Sequence, residues 1–484
     1  MKNRLPWGVW AFVGGKVVFH LATTRLEHHR DELYFIAASE RLAASYVDFQ
    51  PVTPFLVRVV RLAFGESLLA LRLIPTLAGA AAIILAALIA RELGGSRRAQ
   101  LLAGFALTVV PTFVGMDAAV NTVSLETPAW MLVVYVTAWL LRTQDKRLWL
   151  ALGAACGLAL LVKFTMVAYL AGLGIAVLAT PLREHLRSRW PWLGAAVGAV
   201  MIAPSIVWQF RNDLPVVEFV RNQGGGGAVL GLRGRLGYLA GLVVLAGFVA
   251  VFLYVPGLIW AIRSRTYRAL GITHAVALAV FLIASGKGYY AAPGMAALMC
   301  AGAVWAIERR DRMPRALMIG IAVSLISGLP LLVLPISVLR SNPDIAEATE
   351  IGERIGWKEL ASDVGRIADS LRESERSRLI FVGSNYTLPA AVELYADDFD
   401  LPPAVSGHNS AYLWWPEIPR DHVAIVIGFE RERLLRYYDD VRFLGRVRNR
   451  EGVQNYEWDS PIHVARGPKI SPAELRERIQ IFQA

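Results

Sequence analysis

Apolar runs recur along the chain, each of about 18 residues or more and so long enough to cross a bilayer core. Hydropathy places about eleven of them, near 5–24, 68–90, 99–116, 124–141, 147–163, 164–181, 191–208, 236–262, 269–286, 289–307 and 315–338. The loops between them are of two kinds. Lys2/Arg4, Arg91/Arg97/Arg98, Arg142/Lys146/Arg147, Arg183/Arg187/Arg189, Arg263/Arg265/Arg268 and Arg309/Arg310/Arg312/Arg315 fall on one side if the spans alternate. Basic short loops mark that side as cytoplasmic, which puts the N-terminus inside. The acidic first loop, the Val114–Glu126 turn, the hairpin at Lys163, the Gln209–Arg235 loop and the Gly286–Tyr290 turn all face outward. Polar residues from distant stretches therefore meet at one membrane surface. The run from Leu5 to Thr24 is long, carries Lys16 and His20 and lacks a small-residue cleavage site, so it reads as an uncleaved first span.

Past Leu339 the pattern changes to that of a soluble fold on the outer side. Arg378–Val382 and His422–Ile427 read as buried strands, Leu388–Tyr395 and Glu432–Tyr438 as the helices that follow them, and Ile462–Ala465 as a late strand. The expected architecture is a polytopic α-helical membrane part, 1–339, followed by a small extracytoplasmic α/β domain, 340–484.

Composition sharpens this. Of 484 residues 55% are hydrophobic and 18% charged, too apolar for an ordinary soluble protein. A net charge of +11 would suit nucleic acid, but the basic residues sit in short clusters between apolar runs, which suits anionic lipid instead. Nucleic acid is set aside as a partner, and membrane lipids are retained. Cys156 and Cys300 fall inside predicted spans and read as packing residues rather than a disulfide. Gly224–Gly227 reads as a flexible loop, since no strand–glycine–helix context supports a phosphate cradle.

The first outer loop, 25–67, concentrates acids: Asp31, Glu32 and Asp48 lie beside apolar residues at roughly helical spacing, which lays the loop along the membrane surface. Carboxylates held at that level suit a functional site. A solvated loop whose acids balance Arg25, Arg30 and Arg41 fits equally well. His28 and His29 beside these acids admit a divalent cation, but the spacing matches no metal template and no metal site is assigned.

Asp31-Glu32-Leu33-Tyr34 followed by Ser45-Tyr46-Val47-Asp48 resembles the bacterial relatives of protein O-mannosyltransferases and aminoarabinose transferases. These are polyprenyl-phosphate-sugar glycosyltransferases of the GT-C membrane class. The resemblance continues through Phe64–Ser67 with Arg72–Pro75, Asn121–Glu126, Gly157–Lys163, Pro204–Gln209 and Lys287–Pro293. It reaches Gly356-Trp357, Gly383–Tyr386 and Leu401–Asn409 near the end. Each motif is weak alone; their common order is the signal. One departure is that Asp48-Phe49-Gln50-Pro51 stands where the family often has Asp-His-Pro-Pro, which removes any histidine role there.

The resemblance implies a polyprenyl-phosphate-linked sugar donor, an acceptor of unstated kind, and an acid of the first outer loop acting on that acceptor. Asp31 occupies that position, with Glu32 sharing its role or orienting the loop. Such a donor already carries a good leaving group, so the main task is to take a proton from the attacking hydroxyl. The departing phosphate needs a positive partner, for which Lys163 and Lys287 are candidates; snorkelling to the interface is the plainer alternative for both. Tyr34, Asp48, Glu126 and Gln209 complete the expected substrate-binding set, with a structural role open for Asp48 and Glu126. Tyr289 and Tyr290 suit sugar or phosphate contact, or interfacial anchoring. Tyr412–Pro416 suits stacking on a sugar ring or packing of its own domain onto the membrane part. A transporter or lipid flippase is the rival reading, opposed by acids that gather in outward loops rather than at mid-span. A third reading makes the outer domain a glycan-binding module on an inactive core.

Overall fold

A computed structural model describes residues 4–223, 232–283, 288–308, 315–328 and 333–483. The Gly224–Gly227 run, Lys287 and most of the last basic loop lie outside them. Apolar helices occupy Trp7–Ala22, Leu68–Glu92, Arg97–Val109, Thr122–Thr143, Leu148–Val162, Met166–Ala179, Trp190–Arg211, Leu232–Arg263, Arg268–Ile283, Ala292–Glu308 and Arg315–Gly328. Each begins within a few residues of an expected span. By length and composition four of the described stretches suffice to cross a membrane: Leu68–Glu92, Thr122–Thr143, Trp190–Arg211 and Tyr289–Glu308. Met166–Ala179 with Pro181–Arg187, bent by 92°, makes a fifth if counted as one span.

Several expected spans are thus interrupted rather than continuous, and the chain chemistry says where. The run 99–116 breaks at Val110, extended at ψ 121°, because the following Pro111 disfavours helical backbone before it; a short helix, Pro111–Met116, resumes beyond. Leu232–Arg263 kinks at Gly247, whose φ of 68° suits glycine. Leu148–Val162 stops at Lys163, which turns extended. Close helix packing relies on small residues. Gly153 meets the backbone of Gly194 so tightly that a Cβ would collide with its carbonyl oxygen.

The loops sort to two ends of the bundle as the charge pattern requires. At one end Arg142 pairs with Glu92 at 2.7 Å, the Tyr267 hydroxyl donates to the Glu92 carbonyl, and Ser96 N–H donates to Glu308. At the other, Val120 N–H donates to Glu32, Lys163 pairs with Glu126, and Gln209 donates to Ser45.

The C-terminal region carries a five-stranded sheet of order β2-β1-β3-β5-β4. Its strands are β1 (Leu379–Gly383), β2 (Ala404–Ser406), β3 (Val423–Ile427), β4 (Tyr438–Arg446) and β5 (Pro461–Pro468). β1 runs parallel to β2 and β3, while β5 is antiparallel to both β3 and β4. β1 and β3 are buried throughout, as continuous apolar runs covered on both faces should be. The helix expected over 432–438 is only Arg431–Leu434; Tyr438 already opens β4. β4 is an edge strand with exposed residues on both faces, so it lacks the alternation that marks a strand in sequence.

The first loop also differs from expectation. Its helix, Arg30–Ser39, does not lie along a surface with one wet face: every residue from Glu32 to Ser39 is buried. Tyr34, Phe35, Ile36 and Ala38 pack with Val57, Leu71, Ile74 and Val120 on the bundle side. Leu33 and Ala37 pack with Trp357, Ala390 and Ala391 of the C-terminal region. Arg41 clamps the same seam with a paired contact to Glu393 at 2.8 and 3.0 Å. Trp414 lies 5.7 Å from the Tyr34 ring with the Arg41 guanidinium 5.4 Å above it, so the Tyr412–Pro416 segment packs the two parts together.

Candidate active site

Asp31 and Glu32 are sequence neighbours at the start of the Arg30–Ser39 helix, and the helical turn sends them in different directions. His29 caps that helix: its Nδ1 accepts from Asp31 N–H, and Glu32 reaches back to accept from His29 N–H at 2.8 Å. Glu32 then accepts from Arg72 at 3.0 and 3.2 Å and from Val120 N–H at 3.1 Å. Burial alone would raise its carboxyl, but the Arg72 charge and these bonds hold it at about 2. Every lone-pair direction of Glu32 is engaged.

Asp31 is only partly buried. Its Oδ1 accepts from the Tyr386 hydroxyl at 3.1 Å, while no described residue pairs with Oδ2. Burial, then the charge of Asp31, push the Tyr386 phenol well above its usual range, so it stays a donor to Asp31 at neutral pH. Tyr386 is itself fixed in a stack. It lies 4.0 Å from the Tyr34 ring, 5.1 Å from His408, and under the Arg30 guanidinium at 5.4 Å. Arg30 also covers Tyr456 at 4.3 Å.

The Tyr34 hydroxyl donates to Asp48 at 2.9 Å and accepts from Ser410 N–H at the same distance. Asp48 accepts further from the Ser410 hydroxyl and the Asn409 amide, both at 3.1 Å. Burial pushes the Asp48 carboxyl up to about 7 against the pull of these donors. Asn409 takes a left-handed conformation, φ 48°, to deliver its amide.

A second cluster stands beside the first. Lys163 Nζ lies 3.2 Å from Glu126 Oε2, and Thr165 donates to the other oxygen. The ammonium also sits over the Tyr290 and Tyr289 rings, at 4.8 and 5.2 Å. Tyr289 is within electrostatic reach of Asp31, Glu350 and Tyr386, which brings the two clusters to one place. Among the described residues no three His, Cys, Asp or Glu side chains are placed to share a metal ion.

Residues 48–208 match the family described as dolichyl-phosphate-mannose-protein mannosyltransferase. No curated protein matches the chain. Among solved structures, ArnT from Cupriavidus metallidurans bound to undecaprenyl phosphate superposes with a TM-score of 0.61 at 15% identity, covering 94% of this chain and 97% of that one. Its apo form gives the same TM-score at 17% identity and the same coverage. The mycobacterial arabinofuranosyltransferase AftD gives 0.51 at 13% identity, over 95% of this chain and 41% of that one. The chain has the GT-C glycosyltransferase fold.

The matched family segment holds Asp48, Glu126 and Lys163 but excludes Asp31, Glu32, Tyr34 and the sheet. The structure brings Asp31, Tyr34, Asp48, Glu126, Lys163, Tyr289 and Tyr290 into one neighbourhood. Glu32 adjoins them but is fully taken up by Arg72. Gln209 is occupied too: its amide donates to Ser45 and to the Tyr46 carbonyl at 2.9 and 2.8 Å, pinning the loop that carries Asp48. Tyr386 enters from the C-terminal region against Asp31, Glu350 3.7 Å from His29, Glu353 4.0 Å from Arg30, and Arg354 within electrostatic reach of His29. Of these only Tyr386 had a mark in the sequence, as the end of the Gly383–Tyr386 motif; more than 300 residues of chain separate it from Asp31.

Asp48 works as a joint between the first loop and the 406–410 turn. Asp48→Ala leaves the Tyr34 hydroxyl, the Ser410 hydroxyl and the Asn409 amide without their acceptor. A loss of about 1–3 kcal/mol is expected for a buried donor so stranded. It should register as a lower melting temperature in detergent, with earlier protease cleavage between the bundle and the sheet. An unchanged melting curve would remove this role.

Proposed function

We propose that this chain is an integral membrane glycosyltransferase that moves a sugar from a polyprenyl-phosphate-linked donor to an acceptor on the outer side of the cytoplasmic membrane, with Asp31 as general base. The observation that carries the reading is the Asp31 carboxylate, one oxygen held by Tyr386 and the other without a partner among the described residues. A carboxylate oriented in this way has a lone pair ready for an incoming hydroxyl. The GT-C fold supports the reaction class, and the undecaprenyl phosphate bound to ArnT supports the donor class.

The acceptor oxygen attacks the anomeric carbon, its proton passes to Asp31 Oδ2, and the bond from that carbon to the phosphate oxygen breaks. Direct displacement inverts the anomeric centre. The departing phosphate gains negative charge as the bond opens, and a fixed ammonium stabilises it. Lys163, seated on Tyr289 and Tyr290, is that cation in this reading. Glu126 holds it in place from the side. Tyr34 and Asp48 shape the wall shared with the C-terminal region.

The test of function is lipid and glycan analysis of a strain lacking the gene. Unmodified acceptor together with accumulated polyprenyl-linked sugar is expected; unchanged profiles of both would sink the reading. For the lysine, Lys163→Met should weaken donor binding while Lys163→Arg keeps part of it. Equal donor affinity in the Met variant would leave membrane snorkelling as its role.

A further inference from the structure

Among the described residues four lysines and arginines are buried: Lys16, Arg72, Lys163 and Arg354. Three of them have a buried carboxylate partner, Lys16 with Asp117 at 2.7 Å, Arg72 with Glu32 at 3.0 Å and Lys163 with Glu126 at 3.2 Å. Arg354 has none. It is 8% exposed, its Nε is shielded from water without a hydrogen-bond partner, and no ion pair joins it to a described residue.

No described residue around it supplies a paired carboxylate. Arg354 ends the short turn Gly352–Arg354, and the flanking Ile351 and Ile355 pack with Leu26, Leu334, Ile336 and Leu339. Leu26 follows the first apolar helix, Trp7–Ala22, so this packing lies just past the end of that helix. The charges that act on Arg354 are Arg72, Glu32 and Glu350. Glu32 is saturated by Arg72 and two backbone amides. The Glu350 side chain is 65% exposed and lies 3.7 Å from His29. His20 Nδ1 and His28 Nε2 are buried without hydrogen-bond partners too. Burial, then the Arg72 charge, bring Arg354 down to about 10, which leaves it protonated at neutral pH. A guanidinium largely withdrawn from water, its Nε unsatisfied and no described carboxylate paired with it, is unfavourable, and a bound anion removes the penalty.

We propose that Arg354 is an anion-binding residue that takes a lipid phosphate. On the function proposed above, on which this identification rests, the ligand is the phosphate of the polyprenyl carrier. The planar guanidinium fits two phosphate oxygens at once. Arg354 and Asp31 both lie within electrostatic reach of the His29 ring, so a phosphate held by Arg354 would be near the helix that carries Asp31. The C-terminal region thereby contributes a charge to a site otherwise built by the membrane part.

The experiment is a melting series on purified full-length protein in detergent, with undecaprenyl phosphate, undecaprenol, phosphatidylglycerol or inorganic phosphate added. Undecaprenyl phosphate should stabilise the wild type and undecaprenol should not. Arg354→Met and Arg354→Gln should lose affinity by roughly tenfold or more, the scale of one hydrogen bond to a charged group. Arg354→Lys should keep part of it. Without ligand both neutral variants should melt at or above the wild type, since each removes an uncompensated charge. Neutral variants that melt well below wild type, or that keep the full ligand response, would overturn the inference. An Arg354-dependent response to phosphatidylglycerol or inorganic phosphate alone would overturn the assignment to the carrier. The series reads binding and not transfer: a protein that binds undecaprenyl phosphate through Arg354 but moves no sugar would overturn only the enzymatic reading.

Discussion

Asp31→Asn is expected to lower sugar transfer by about 10²–10⁴-fold, the usual contribution of general acid–base catalysis, without changing the melting temperature. Asparagine keeps the size of the side chain and an oxygen that accepts from Tyr386, so the stack of Tyr386 on Tyr34 and His408 survives. What it loses is the basic lone pair on the second oxygen. The donor should still bind, because no described cation pairs with Asp31 and none is freed by the change. Transfer rate and donor affinity therefore separate, with kcat falling and donor binding retained. Transfer at the wild-type rate would place the base elsewhere. A variant that fails to fold would make Asp31 a structural acid.

Arg72→Met should be the most destabilising single change in the same region. It strips Glu32 of the one cation that pairs with it among the described residues while leaving the carboxylate fully buried, and breaking a buried pair from one side typically costs about 3–5 kcal/mol. Adding Glu32→Leu should recover part of the loss, since the uncompensated charge goes with it. The pair also sets an acid limit. Glu32 sits at about 2 in the folded protein against an ordinary 4.5, so its contribution is complete above pH 4.5. That contribution is lost as pH falls through about 2. Melting temperatures of the wild type, both single variants and the double variant measure the coupling directly. A double variant no better than Arg72→Met, or a wild type equally stable at pH 2 and pH 5, would show that the pair is not what holds the loop.

The sequence by itself determined the bundle and its two ends. Span-length apolar runs admit little but helices in a bilayer, because every backbone polar group there must be satisfied within its own segment. The charge pattern sorts the loops into two sets, and Arg142–Glu92 meets within one and Lys163–Glu126 within the other. β1 and β3 were legible for a similar reason: strands covered on both faces leave continuous apolar runs. The acids of the first loop were legible as candidates, because carboxylates beside apolar spans are costly unless used or paired.

Only the tertiary structure decided which acid is which. Asp31 and Glu32 are equivalent in composition and adjacent in sequence, yet one helical step turns Glu32 to Arg72, 40 residues away, and Asp31 to Tyr386, 355 residues away. The same holds for the first-loop helix, whose spacing suggested a membrane-surface element. The C-terminal region lies on its second face and buries it whole. Arg354, a plain basic residue in the sequence, is buried and has no ion-pair partner among the described residues. Local periodicity and charge report what a segment needs from its surroundings. Which distant side chain meets that need is set by packing, and no spacing along the chain records it.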